Sequence, residues 1–168
     1  MTPEQSMRIY LAECALHEEV LEEGLRDASR WMPLSVDRLM DKTLLRILDQ
    51  IAYRFTKLQD SMGEKMLPLI LELAQEPVIL SSATFAEKLN RLEWLGAIPS
   101  VEEWKKLRVA RNAITHEYPD DPEMRLVAIK RFLDGAANLS LLYRFVAHYI
   151  AAHFPELPDG NGLSGNQE

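Results

Sequence analysis

One segment of the chain repeats its apolar residues at the spacing of a packing helix, and this pattern restricts the fold more than any other feature. Successive apolar positions follow at intervals of 4, 3, 4, 3 and 4 along Leu44, Leu48, Ile51, Phe55, Leu58 and Met62. Such intervals place side chains on one helical face. A heptad-like seam is typical of packing along a nearly parallel partner helix. We predict a helix that begins after an N-cap at Ser35 and ends near Gly63.

The rest of the chain also carries helical periodicity, together with helix start and stop signals. Thr84 and Glu87 have the spacing of a capping box, and Gly96 suits the end of the helix that they open. Ser100 is a further predicted N-cap, and Pro68 requires the helix around it to start late or to kink. Besides the helix of the seam, the predicted helices lie at residues 3–30, within 63–77, at 85–95, at 100–118 and at 122–153.

The apolar residues of 77–82 are predicted to form a packed loop, because no segment nearby could pair with them as a strand. Gly135, inside the last helix, is either tolerated there or marks a close contact between helices. The fold class is therefore all-α, an up-and-down bundle of four to five main helices.

Length and composition set further bounds. A chain of 168 residues predicts one domain, residues 1–154, and the glycine-containing tail 155–168 is predicted to be disordered. The N-terminus lacks the pattern of a signal peptide and no apolar run is long enough to span a membrane, so we expect a cytoplasmic protein. A net charge of −7 argues against a broad, non-specific grip on nucleic acid. The single cysteine, Cys14, excludes an internal disulfide and is predicted to be a core residue.

Acidic residues and histidines outside the predicted helix at 100–118 do not form a recognisable catalytic or metal-binding pattern. Four glutamates of the first helix are expected to form a solvated face or a surface for a basic partner: Glu18, Glu19, Glu22 and Glu23. His17, His148 and His153 lack metal-ligand spacing and are predicted to be structural or surface residues. We expect no metal and no cofactor.

Residues 111–119 concentrate the candidate functional groups. One predicted face of their helix is apolar apart from its arginine and terminal phenol: Trp104, Leu107, Arg111, Ile114 and Tyr118. A buried guanidinium needs either a carboxylate on another helix or a wet cleft, and the spacing leaves both open. The neighbouring face is polar: Lys105, Arg108, Asn112 and His116, with Thr115 between the two faces. His116 is either a residue that caps the helix end or a functional histidine.

The angle between two of these residues has a consequence for assembly. Arg111 and His116 are five residues apart, about 140° around an ideal helix, so one helix presents them poorly to one ligand. Two copies of the helix that meet across a two-fold axis could pair Arg111 of one subunit with His116 of the other. The spacing therefore predicts a homodimer with a composite site.

The segment Arg111-Asn112-x-x-x-His116-x-Tyr118 resembles the Arg-x4-His-x-Tyr motif of HepT-like toxins in the HEPN superfamily. The segments 53–60, Tyr-Arg-Phe-Thr-Lys-Leu-Gln-Asp, and 88–92, Lys-Leu-Asn-Arg-Leu, are also similar to that family. The resemblance spans residues 35–150 and implies a helical-bundle toxin that dimerises and cuts RNA without a metal.

The resemblance also implies roles for individual residues. Arg111 would hold the scissile phosphate, and His116 would act as general base or general acid. Asn112 and Thr115 would orient His116 or the phosphate, and Lys105 and Arg108 would guide the RNA backbone. A nucleotidyltransferase antitoxin would neutralise the toxin, by transferring AMP to Tyr118.

Two other classes of function stay open at the level of sequence. One is a non-catalytic subunit that binds substrate for, or regulates, a nucleotidyltransferase. The other is a purely structural helical adaptor, which a monomer with Arg111 in an internal salt bridge would favour.

Overall fold

The computed structural model describes residues 1–77, 82–115 and 121–157, apart from the side chain of Thr115. The protein is an all-α bundle, as predicted. Its helices are α1 (Pro3–Ser29), α2 (Lys42–Ser61), α3 (Leu67–Leu73), α4 (Phe85–Leu95), α5 (Val101–Thr115) and α6 (Pro122–His153).

Helix α2 carries five of the six seam residues, and the sixth, Met62, follows directly after its end; all six are buried. The predicted N-cap, Ser35, was wrong. The hydroxyl of Ser35 accepts a hydrogen bond from the backbone N–H of Arg38. This bond lies at the start of a single 3-10 turn, Arg38–Met40, and not of α2. Asp41 then adopts an extended conformation, and its carboxylate accepts from the backbone N–H of Thr43 at 2.8 Å. Asp41 is therefore the true N-cap of α2.

Helix α2 ends at Ser61, close to the predicted end near Gly63, but the chain then continues without a break through a π-helical turn, Met62–Met66, into α3. The backbone N–H of Leu67 bonds to the carbonyl of Met62, and α-helical geometry resumes just before Pro68. The wider turn leads the chain to Pro68, which cannot donate a helical hydrogen bond. Gly63 serves packing instead, since a Cβ there would lie 3.0 Å from the ring of Trp104 on α5.

The other predicted helix starts were correct. Thr84 and Glu87 form the capping box of α4, and Gly96 ends that helix with φ 81°. The hydroxyl of Ser100 accepts from the backbone N–H of Glu103 at 3.1 Å, at the start of α5. Asp121 caps α6. The predicted packed loop at 77–82 falls largely outside the described residues.

Helix α6 joins the two sides of the bundle, because it packs along α1 and along α5. Phe132 of α6 meets Phe55 of α2 edge to face, with ring centroids 5.2 Å apart, in the centre of the core. Gly135 marks a close helix contact, since a Cβ there would lie only 2.3 Å from the Cβ of Ala110. The fold continues to at least Leu157, which packs against the core.

The predicted solvated acidic face of α1 needs one correction. The carboxylate of Glu18 is largely buried and accepts from the hydroxyl of Ser140 at 2.7 Å and from Nε of Arg144 at 2.8 Å. Arg144 also lies 4.0 Å from Glu22. A charge that leaves water needs such partners, and both are supplied by α6, which no local sequence pattern of α1 reveals. Cys14 is buried, as predicted.

No helix of the described residues is long and apolar enough to cross a membrane.

Candidate functional site

Arg111 lies at the edge of the core, on α5. Its guanidinium forms a salt bridge with Asp60 of α2, with Nη1 and Oδ1 2.5 Å apart. The two side chains are 36% and 38% exposed. The sequence left open whether Arg111 meets a carboxylate on another helix or lies in a wet cleft. The structure shows the carboxylate, and the pair is half exposed. Water and solutes can reach the guanidinium.

The apolar face predicted for α5 is confirmed for its described residues. Trp104 and Leu107 are buried, and Ile114 is partly buried against the core. Trp104 packs against Phe85 of α4 with centroids 6.0 Å apart and against Gly63 of the π-helical turn. These contacts fix the rotation of α5 and therefore the direction in which Arg111 leaves the helix.

The cations near the start of α5 are exposed, and two of them have acidic partners. Nζ of Lys105 lies 3.4 Å from Glu102, and Nζ of Lys106 lies 2.8 Å from Glu103. Arg108 is exposed. Each of these pairs has an i, i+3 spacing on the surface and contributes little stability. The positive charge of this surface is therefore weaker than its number of cations suggests.

Asn112 is exposed and lies on a different side of α5 from the Arg111–Asp60 pair. It lines a groove between α5 and α6 with a volume of about 570 Å³. Ala113, Met124, Val127 and Ala128 share this groove, so its wall is largely apolar. The structure thus directs Arg111 towards α2 and Asn112 towards α6.

The remaining predicted site residues have a more limited description. Thr115 is the last residue of α5. His116 and Tyr118 lie outside the described residues, so their predicted roles stay predictions.

Sequence reasoning missed Asp60 as a member of the site. Its signal was available, because Asp60 closes the segment 53–60 that resembles the same family as the motif of α5. The pairing of Asp60 with Arg111 depends on how α2 and α5 cross, and one sequence does not specify that crossing.

A second polar cluster, between α1 and α2, also escaped the sequence analysis. The carboxylate of Glu13 accepts from the hydroxyl of Ser61 at 2.8 Å and from Nζ of Lys65 at 3.2 Å. The hydrogen bond from Ser61 is the main reason that the pKa of Glu13 is lowered. Nδ1 of His17 lies 3.0 Å from Nη1 of Arg54, which donates to it. Burial lowers the pKa of His17, and the charge of Arg54 adds to the effect. His17 therefore acts as a neutral acceptor within a structural cluster.

Within residues 1–77, 82–115 and 121–157, no group of three or more histidine, cysteine, aspartate or glutamate side chains is arranged to hold a metal ion. Comparison with protein-family models, with curated proteins and with solved structures returned no match to this chain.

Proposed function

We propose that this chain is a HepT-like toxin of the HEPN superfamily, a metal-independent endoribonuclease that works as a homodimer in the cytoplasm. Its composite site combines Arg111 and His116 of the two subunits. A nucleotidyltransferase antitoxin neutralises it by transferring AMP to Tyr118. The alternative is a non-catalytic subunit of the nucleotidyltransferase.

The observation that carries the proposal is the contact between Arg111 and Asp60. These residues belong to two of the separate segments on which the resemblance rests, and a salt bridge joins them. The half-exposed guanidinium is held by the carboxylate of Asp60, and part of it stays open to solvent. An arginine of this kind can bind a phosphate through two parallel hydrogen bonds.

The proposed reaction is an internal transfer at the RNA phosphate. His116 takes the proton of the ribose 2′-hydroxyl, and the 2′-oxygen forms a bond to phosphorus. The bond from phosphorus to the 5′-oxygen of the next nucleotide breaks, and that oxygen takes up a proton from a protonated His116, which acts there as general acid. The products are a 2′,3′-cyclic phosphate and a 5′-hydroxyl. Arg111 stabilises the charge on the phosphoryl oxygens in the transition state.

The other predicted residues have supporting roles. Asn112 and Thr115 orient His116 or the phosphate, and Lys105 and Arg108 guide the RNA backbone. Lys105 already lies beside Glu102, so it attracts RNA less than an unpaired lysine does.

The proposed control by the antitoxin acts through charge. The phenolic oxygen of Tyr118 loses its proton and attacks the α-phosphorus of ATP, and pyrophosphate leaves. The new phosphodiester brings a negative charge close to Arg111 in the sequence. It competes with RNA for the same guanidinium.

The second candidate function is favoured by one specific observation, the pairing of the cations of α5 with carboxylates. Lys105 and Lys106 each lie within salt-bridge distance of a glutamate, which weakens the attraction of this helix for RNA. A subunit that serves a nucleotidyltransferase needs Tyr118 as a docking or modification site, but it needs no cleavage by His116.

Cleavage of RNA by the purified protein in the presence of a chelator tests the proposal. We expect His116→Ala and Arg111→Ala to abolish cleavage while the melting temperature changes little. His148→Ala is the matched control, because His148 is an exposed histidine on α6, and we expect it to keep full activity. Cleavage that survives His116→Ala removes this histidine from the mechanism.

Mass spectrometry of the protein co-expressed with a nucleotidyltransferase tests the regulation separately. We expect a mass gain of one AMP that Tyr118→Phe prevents. Labelling that depends on Tyr118, combined with no cleavage by the unlabelled protein, would favour the non-catalytic subunit.

A further inference from the structure

One face of helix α6 packs inside the bundle, and its outer side carries apolar residues that are exposed in the described part of the chain. Seven residues on its outer side follow at intervals of 3, 4, 3, 4, 3 and 4, and together we call them the α6 stripe: Met124, Val127, Arg131, Asp134, Asn138, Leu141 and Phe145. All seven are exposed, and Leu141 is 63% exposed. These intervals are those of a seam between two helices. An exposed seam indicates that another helix covers it.

The α6 stripe is symmetric about its own centre. Met124 and Phe145 lie equally far from the midpoint between Asp134 and Gly135, and so do Arg131 and Asn138. Val127 and Leu141 match to within one residue. The apolar residues therefore occupy both ends of the stripe, and the polar residues occupy its middle. A surface of this kind is complementary to a copy of itself turned by 180°.

The charges of the stripe fit the same arrangement. When two stripes pair antiparallel, Arg131 of one copy lies opposite Asn138 of the second and one helical turn from its Asp134. Each copy then contributes one positive and one negative side chain to the centre, so the charges balance. Antiparallel pairing also brings Met124 of each copy against Phe145 of the other, about 16 Å from the centre at each end.

Helix α5 widens this surface on one side. Val109, which is 67% exposed, lines the groove between α5 and α6 together with Asn112 and Val127. Helices α5 and α6 are antiparallel neighbours, since Ala110 lies against Gly135 while Glu103, nearer the start of α5, shares a pocket with Phe145, nearer the end of α6. Ala110 lies against Gly135, so Val109 and Asn112 are close to the level of the stripe's centre.

We propose that a second copy of this chain docks on the α6 stripe and the adjoining groove, with α6 of the two copies antiparallel. The two-fold axis lies in the plane of contact and passes between the two α6 helices at the level of Asp134 and Gly135. Such an axis leaves α5 of both copies on the same side of the α6 pair. Both copies of Asn112 then line one shared groove, next to the start of the motif segment. This interface deepens the proposed function, which requires a homodimer, but it rests on the packing of α6 and not on cleavage of RNA.

Disulfide trapping tests the position of the axis. Asp134→Cys places a thiol beside the axis in each copy, so we expect the full-length protein to form a covalent dimer when it is oxidised with diamide. Ala137→Cys is the matched control, because Ala137 is also exposed and lies at the same level of α6 but off the stripe. The native Cys14 is buried and does not compete. Equal trapping of both variants, or no trapping of Asp134→Cys, would overturn the proposal.

Charge reversal tests the complementarity by a different measurement. We expect sedimentation analysis to find a dimer for the natural protein. Asp134→Arg gathers four arginines at the centre and should raise the dissociation constant of the dimer about a hundredfold or more. The double variant Arg131→Asp, Asp134→Arg restores the balance and should restore the dimer. A dimer that all three proteins form equally well uses another surface, and a natural protein that stays monomeric has no such interface.

The outcomes separate this interface from the proposed chemistry. Trapping through Asp134→Cys without any cleavage of RNA supports the interface and contradicts the ribonuclease. Cleavage of RNA by a dimer that Asp134→Arg leaves intact supports the ribonuclease and contradicts the interface. Leu16→Asp, at an apolar residue that is 54% exposed on α1, should change neither property.

Discussion

The contact between Gly135 and Ala110 allows a quantitative test of how α5, which carries the candidate site, is held against α6. A Cβ added at Gly135 would lie 2.3 Å from the Cβ of Ala110. Carbon atoms prefer a separation of about 3.5–4.0 Å. The substitution Gly135→Ala therefore requires the two helices to separate by more than about 1 Å.

Two opposing effects set the size of the change in stability. Overpacking of a well-packed contact costs about 1–3 kcal/mol. Replacing glycine by alanine inside a helix contributes up to about 1 kcal/mol in the opposite direction. We expect Gly135→Ala to lower the free energy of unfolding by about 1 kcal/mol, which corresponds to a fall in melting temperature of about 2–4 °C for a chain of this size.

A double-mutant cycle separates the clash from helix propensity. Ala110→Gly removes the opposing methyl group, and a Cβ at 135 would then meet the Cα of residue 110 at 3.8 Å, an ordinary contact. In the double variant Ala110→Gly, Gly135→Ala, each helix exchanges one alanine or glycine for the other, so the two changes in helix propensity cancel. The methyl group at the contact now belongs to α6 instead of α5. We expect this variant to regain most of the lost stability, with a coupling of about 1–3 kcal/mol between the two positions.

Urea denaturation of the four proteins of the cycle provides the measurement. A coupling near zero would contradict the reasoning, because it would mean that the two methyl groups do not meet. A stabilisation of about 1 kcal/mol by Gly135→Ala alone would contradict it as well, since only helix propensity would then act.

Three further substitutions test other contacts of the fold by the same denaturation assay. Burial lowers the pKa of His17 below its usual 6.5, so the unfolded chain binds the proton more readily than the folded chain does. The free energy of unfolding therefore falls as the pH drops from 6.5 towards the pKa of the folded state. His17→Gln should flatten this dependence, and parallel plots of stability against pH for the two proteins would contradict the prediction. Asp60→Asn should cost less than about 1 kcal/mol because its pair with Arg111 is half exposed; a loss of several kcal/mol would show that the pair supports the core. Ser140→Ala removes the buried hydroxyl that donates to Glu18 and should cost about 1.5 kcal/mol or more; an unchanged midpoint would mean that water replaces this bond.

Capping residues and helix-ending glycines in the sequence correctly predicted those helices whose ends depend only on residues nearby in the chain. Thr84, Glu87 and Gly96 bound α4 where the sequence places its ends, because a capping box and a left-handed glycine act within a few residues. The same kind of reasoning was wrong for Ser35, and at Gly63 it missed the π-helical turn that connects α2 to α3. Ser35 does accept a hydrogen bond from a backbone N–H, but the 3-10 helix that it caps ends after one turn. Gly63 resembles a helix end in the sequence, yet its missing side chain makes room for a ring from α5.

The candidate site divides in the same way. The sequence alone predicts that Arg111 lies in an apolar stripe and that it needs a partner, because periodicity determines which residues share a helical face. It does not reveal that the partner is Asp60. That pairing depends on the crossing of α2 and α5, which the close approach of Trp104 to Gly63 holds in place.

By itself, the sequence determined that this protein is a bundle of amphipathic helices and which residues of each helix face inwards, since both follow from interactions within about one helical turn. Only the tertiary structure decided which faces meet. It joined Glu18 to α6 and Arg111 to α2, and it left the α6 stripe on the surface. The physical reason is that contacts between helices depend on crossing angles and on the sizes of side chains far apart in the chain.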